Sequence, residues 1–304
     1  MTSQAAHATQ QAQSVRQDRP CPAVPPGTTI GFIGAGNMAG AIVRGAVAAG
    51  LTQGQGAARL LVTSPHGSAA ALAGELAGQG VEHVAQAQDL VHASDVVVLG
   101  VKPTIVPVVF EQLREELAER RALVVSLAAG LTLARLEEML PEGARVVRAM
   151  PNVAAAVGAS MTALAASSRA SEEDLALVEG LMAAVGRTAR IAEKDFSAFV
   201  GLAGSSPAFV FTFIEALARA GVLAGIPKAQ AVDIVTQAVL GSALTVQADA
   251  GAEDGRTPTD LVDAVCSPGG TTVAGLVAME RAGFSNAVIE GVRATVARDH
   301  ELGA

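Results

Sequence analysis

Between Thr28 and about Met150, short runs of apolar and often β-branched residues alternate with longer stretches whose apolar positions recur at helical spacing. The short runs predict strands at Thr29–Ile33, Arg59–Thr63, Val81–Val84, Asp95–Val101, Ala122–Leu127 and Arg145–Ala149. The longer ones predict helices near Met38–Ala49, Gly67–Gln79, Ile105–Arg120 and Leu133–Leu140. Strands that are apolar throughout and separated by helices belong in a parallel sheet covered on both faces. Two further segments, Ser160–Ala165 and Thr188–Ile191, flank a helix capped by Ser171 with Glu173 and Asp174 in its first turn. They extend the same sheet.

Beyond about Glu193 the β-rich runs stop and long Ala/Leu/Val helical patterns take over. Pro207 suits the first turn of a helix reaching about Ala224, and Pro227 starts another reaching about Ala248. Helices near Thr259–Val265, Thr271–Ala282 and Ser285–Leu302 follow. Ala231–Val246 is apolar nearly all round, which predicts a subunit interface as well as a core. The expected organisation is a disordered extension at 1–27, a doubly wound α/β dinucleotide-binding domain at 28–192 and an all-helical domain at 193–304. The extension is rich in Gln, Ala, Ser and Pro and lacks the apolar segment of a secretory signal.

Composition narrows the picture. The 304 residues are 50% hydrophobic, yet include no Trp, no Tyr and only eight Phe, so Ala, Val and Leu must build the core. A net charge of −8 argues against a nucleic-acid partner. Cys21 and Cys266 lie far apart and the histidines lack ligand spacing, so neither a disulfide framework nor a metal site is expected. No apolar run of membrane-spanning length is expected to be free of charge or glycine, and the chain reads as soluble and cytoplasmic.

The chemistry begins in Thr28–Arg44. Gly34, Gly36 and Ala39 fit the G-x-G-x-x-G/A fingerprint between a strand and a helix. Gly34 makes the tight turn, Gly36 lets backbone approach a pyrophosphate, and Ala39 keeps the helix close to the strand. A doubly wound sheet binds its ligand across the carboxyl ends of its strands, so Gly34–Met38, Thr63–His66, Gly100–Pro103, Ala128–Gly130 and Met150–Asn152 should meet at one edge. An NAD enzyme usually carries Asp or Glu after the second strand; this one has Thr63-Ser64-Pro65-His66, with no carboxylate to repel a 2′-phosphate. NADPH is therefore favoured over NADH, although Ser64-Pro65 also suits a helix cap. Lys102 stands just past a run of buried valines, where the nicotinamide half should lie.

Read in order, GFIGAGNM, VKP, RAMPN, GSSPAFVF and CSPGGTT make the chain from about Thr28 to Gly303 resemble pyrroline-5-carboxylate reductases. The resemblance implies reduction of a cyclic imine with NAD(P)H in the last step of proline synthesis. It also implies a Rossmann domain followed by a helical domain that interlocks in homodimers, which can stack into decamers. Cofactor contacts are then expected at Ile33, Gly34, Ala35, Gly36, Asn37 and Met38, at Thr63, Ser64 and Pro65, at Gly100, Val101, Lys102 and Pro103, and at Leu127, Ala128 and Ala129. The small-molecule substrate is expected at Ser267, Gly270, Thr271 and Thr272 with Pro207 nearby, and at Glu193. Phe209 replaces a tyrosine frequent in the family, so a phenolic proton donor is unavailable there.

A protonated imine accepts hydride at carbon without further electrophilic help, so the protein supplies orientation and electrostatics. SPGGTT at a helix start offers backbone N–H groups to a carboxylate, and Thr272 is the candidate to bond the ring nitrogen and relay a proton. A hydroxyacid dehydrogenase would need a lysine base between the domains; Lys194 lies there without the Gly- and Asn-containing pattern expected around one.

Overall fold

The computed structural model describes residues 24–250, 252 and 254–303. The expected extension thus lies outside the described residues except for 24–27, as does Cys21. Two compact units emerge: one extends to Gly204 and takes in the end of the last helix from Val296, the other is Ser205–Thr295.

The first unit is built on an eight-stranded sheet in the order β3-β2-β1-β4-β5-β6-β7-β8. The strands are β1 (Thr29–Ile33), β2 (Arg59–Thr63), β3 (Val81–His83), β4 (Val96–Leu99), β5 (Leu123–Ser126), β6 (Val146–Met150), β7 (Ser160–Ala166) and β8 (Gly186–Arg190). The first six are parallel; β7 runs antiparallel to β6, and β8 parallel to β7. Alternation decides the faces. Ile30, Phe32, Val96 and Val98 share one core with Ile42, Val43 and Ala46 of helix α1 (Asn37–Ala48). Ile33, Val97 and Leu99 share the other with Phe110 and Leu113. These strands are buried on both faces, which is why they read as unbroken apolar runs.

Helices α2 (Ser68–Glu75), α3 (Ala87–Ala93), α4 (Val106–Gln112), α5 (Arg114–Arg120), α6 (Leu133–Met139), α7 (Glu172–Ala183) and the single turn α8 (Phe196–Phe199) cover the sheet. The expected continuous helix at Ile105–Arg120 is two helices, because Leu113 leaves helical geometry at φ −115° to bury its side chain in the second core. The expected helix at Gly67–Gln79 stops at Glu75, since Gly78 and Gly80 both take positive φ. Helix α3 is too short for periodicity to reveal it. Residues Val200–Gly204 form a π turn.

The second unit contains α9 (Ser206–Leu223), α10 (Lys228–Ala250), α11 (Pro258–Ala264), α12 (Thr271–Arg281) and most of α13 (Phe284–Gly303). Helices α9 and α10 pack closely enough that a Cβ on Gly221 would lie 3.1 Å from Ala231, and Glu215 receives both Arg219 and Lys228. Phe213 and Phe284 tie α9 to α13 with ring centroids 6.0 Å apart. Phe211, Ile234, Leu240 and Leu244 remain exposed. By length and composition alone, Glu193–Leu223 and Lys228–Ala250 are long and apolar enough to cross a membrane, and both are interrupted by glycine and charge, as at Gly221 and Glu215 in the first and Asp233 and Gly241 in the second.

Candidate functional site

The residues expected to touch the cofactor stand along one edge of the first unit. At the carboxyl ends of neighbouring strands, backbone bonds lace the turns together. Gly34 N–H donates to Thr63 O at 2.8 Å, Gly100 N–H to Ile33 O at 2.9 Å and Leu127 N–H to Leu99 O at 3.2 Å. These three bonds cross β2, β1, β4 and β5 in their spatial order, on either side of the point where strand order reverses.

Gly34 has φ +94°, a conformation that side chains rarely adopt, and an added Cβ would lie 2.7 Å from Gly100 O. Gly36 is different. Its φ is −74°, and an added Cβ would meet nothing within 4 Å. Helix α1 begins directly after it with no side chain capping the first turn. Open space above Gly36 and uncapped N–H groups at Asn37 and Met38 form the cradle a pyrophosphate requires, so the residues present fit a dinucleotide.

After β2, the Ser64 hydroxyl oxygen accepts from Ala69 N–H at 2.9 Å and from the Ser68 hydroxyl at 2.9 Å. Ser64 therefore caps α2, and its own proton remains free to donate. Pro65 and His66 are exposed beside it. Glu75 is the first acidic residue after this strand, and its carboxylate is paired with Arg44 of α1 at 2.7 Å. That hydrogen bond holds the Glu75 carboxyl below its ordinary range and raises Arg44. Lys102 is exposed after β4, with no ion-pair partner among the described residues, and Pro103 opens a short 3-10 turn. Beyond β5, Ser126 Oγ accepts from Ala128 N–H at 3.3 Å and Gly130 turns the chain at φ +77°.

The RAMPN motif carries a second set of contacts. Arg148 on β6 is 4% exposed, its Nη1 lies 3.2 Å from Glu193 Oε1, and its guanidinium carbon stands 4.2 Å from the Phe196 ring centre. Burial pushes the Arg148 pKa below its ordinary value, opposed by the hydrogen bond and charge of Glu193 and the charge of Asp299. Glu193 Oε1 also accepts the Leu133 N–H at 2.5 Å, so this carboxylate, expected near substrate, is engaged by backbone and Arg148. Asn152 Nδ2 donates to Ala203 O at 2.9 Å, fastening the π turn. Asn152 falls in the Met150–Asn152 segment expected at this edge, whereas Arg148 is not among the expected site residues. The signal for Arg148 was available: an arginine inside an otherwise apolar strand pattern must be paired.

In the second unit, CSPGGTT forms a turn and a helix start. Gly270 N–H donates to Ser267 O at 3.0 Å, and Gly269 has φ +70°. Gly270 is the N-cap of α12 in extended geometry and has no side chain with which to cap it. The Ser267 hydroxyl lies 2.4 Å and the Ser267 carbonyl oxygen 3.1 Å from the position a Cβ on Gly270 would occupy, so a side chain there would have to turn the Ser267 hydroxyl aside. Ser267, Thr271 and Thr272 are exposed, and Pro207 stands in the first turn of α9. Cys266 is a free thiol beside the loop.

Comparison with known proteins points to one family. Residues 193–302 match the family described as pyrroline-5-carboxylate reductase dimerisation, and residues 29–130 match the NADP oxidoreductase, coenzyme F420-dependent family. The pyrroline-5-carboxylate reductase of Escherichia coli is 40% identical over 273 residues, covering 90% of this chain and 97% of that protein. The crystal structure of the 1-pyrroline-5-carboxylate reductase from Streptococcus pyogenes aligns with a TM-score of 0.77 at 39% identity, over 90% of this chain and 99% of that one. The NADP-bound pyrroline carboxylate reductase of Plasmodium falciparum aligns with a TM-score of 0.77 at 26% identity, over 91% and 98% of the two chains. A glycine cradle on a doubly wound sheet, a helical dimerisation region and near-complete coverage at this identity make the chain a member of the pyrroline-5-carboxylate reductase family.

Proposed function

We propose that this protein reduces the C=N bond of 1-pyrroline-5-carboxylate to give L-proline, the last step of proline biosynthesis, with NADPH preferred to NADH. The observation that carries the reading is the start of α12: a glycine-led, uncapped N-terminus with the exposed hydroxyls of Thr271 and Thr272. Such a terminus suits the substrate carboxylate by the same physics that suits phosphate.

In this reading Gly270, Thr271 and Thr272 bind the carboxylate through backbone N–H groups, with Ser267 and Pro207 beside them. Thr272 Oγ1 orients the ring nitrogen and relays a proton to it. Ile33 to Met38 hold the pyrophosphate; Gly100 to Pro103 and Leu127 to Ala129 support the nicotinamide half. The reduced nicotinamide, when bound, would supply the hydride to the imine carbon, C2 of the pyrroline ring, which is C5 in the proline product. A threonine hydroxyl is a weak acid unaided, so Thr272 acts first by holding the nitrogen in place. The preference for NADPH rests on the turn after β2. Ser64 has an unspent donor proton, His66 is at hand, and no carboxylate opposes a 2′-phosphate.

The exposed apolar residues of α9 and α10 suit burial against a second copy of the chain, giving a homodimer, and decamers would require stacking of such dimers. The working compartment is the cytoplasm. Reduction with NADPH deuterated at the transferable position tests the reaction itself. Proline carrying deuterium at C5 is expected, and proline without label would overturn the assignment.

A further inference from the structure

We infer that Arg148 is a positioning residue for the cofactor: through Glu193 it fixes the loop between β5 and α6 that carries Leu127, Ala128 and Ala129. This rests on the reading of that loop as cofactor-binding. The loop is secured at both ends. At its start Ser126 Oγ accepts from Ala128 N–H, and at its end Glu193 Oε1 accepts from Leu133 N–H. Thr132 Oγ1 accepts from Arg135 N–H, two residues further on, at 3.2 Å. Without Glu193 the first N–H of α6 has no acceptor among the described residues.

Glu193 lies some sixty residues away in sequence and is itself partly exposed, its side chain at 30%. What keeps its carboxylate turned inward is Arg148, whose own side chain is 5% exposed and stands on a central strand. A cation there is costly unless it is paired, and an apolar residue would serve packing better. Phe196 supports the guanidinium from one side, and Asp299, which accepts from Ser197 Oγ at 2.7 Å, adds a second negative charge nearby. The chain therefore spends a buried charge on orienting one carboxylate, and that carboxylate ends a loop at the ligand edge of the sheet.

Arg148→Met keeps the apolar length and removes the charge; Glu193→Gln keeps the shape and removes the ion pair. Amide exchange of residues 127–133 in the cofactor-free protein should accelerate about tenfold in Arg148→Met, with β1 and β4 unchanged. The dissociation constant for NADPH should rise by about tenfold, while the KM for pyrroline-5-carboxylate at saturating NADPH stays within about twofold. Glu193→Gln should shift both readouts in the same direction, and the double variant should be no worse than Arg148→Met alone. If Arg148→Met does not fold, Glu193→Gln decides. Unchanged loop exchange and NADPH affinity in the folded variants would overturn the inference. So would an effect confined to substrate KM, which would put Glu193 against the substrate. Wild-type protein that fails to bind NADPH would instead sink the cofactor reading of the loop, and exchange in the cofactor-free protein would still report on the Arg148–Glu193 linkage.

Discussion

A Cβ placed on Gly100 would lie 2.6 Å from the Cβ of Ala39, so the end of β4 and helix α1 meet with no room for a methyl group between them. Gly36, three residues before Ala39, faces open space. The two glycines thus answer to different demands, packing and ligand approach. Gly100→Ala should lower stability by about 1–3 kcal/mol through overpacking. Gly36→Ala should change stability by less than about 1 kcal/mol. Its effect should fall on NADPH affinity. Urea denaturation beside NADPH titration of both variants separates the two roles, and a Gly36→Ala variant with wild-type affinity would count against the cradle.

Cofactor choice turns on the segment after β2. Ser64→Asp keeps an oxygen to cap α2 and adds a charge where the 2′-phosphate is expected. NADPH affinity should fall by about tenfold or more while NADH affinity is held or improves. Steady-state KM values for both cofactors read the outcome.

The Arg44–Glu75 pair joins α1 to α2 on either side of this segment. Hydrogen bonding to Arg44 lowers the folded-state pKa of Glu75, so its contribution is present above the ordinary carboxylate range and is lost as pH falls through the depressed value. Both side chains are about half exposed, so Glu75→Gln should cost no more than about 1 kcal/mol at neutral pH. The difference from wild type should vanish in acid, as thermal melts across the acid range would show.

The exposed apolar surface of α10 should be covered in the assembled enzyme. Leu240, 43% exposed within one chain, becomes a charge in Leu240→Glu. Sedimentation should show a dimer for the unaltered protein and monomer for Leu240→Glu, because an unpaired carboxylate in an apolar interface costs several kcal/mol.

Most of the sheet was legible because its strands are apolar on both faces: β1 and β2 fall on the apolar segments Thr29–Ile33 and Arg59–Thr63. The kink at Leu113 was not, since a buried leucine suits a continuous helix equally well and only tertiary packing breaks it there. Gly34, Gly36 and the CSPGGTT turn were legible from backbone need, as glycine has few other reasons to stand at those spacings. The engagement of Glu193 by Leu133 and Arg148 was not, because each partner is remote in sequence and a carboxylate carries no mark of which donor it will meet. The apolar surface of α10 was legible as hydrophobic; its exposure within one chain appears only in the structure.

The most direct test of the account is NADPH oxidation with pyrroline-5-carboxylate by the wild-type protein and by Thr272→Ala. The wild type should turn over rapidly, and the variant should lose about tenfold or more in kcat/KM with NADPH affinity unchanged. A wild-type protein that binds NADPH but does not reduce this imine would contradict the central claim, and equal turnover by both would remove Thr272 from the site.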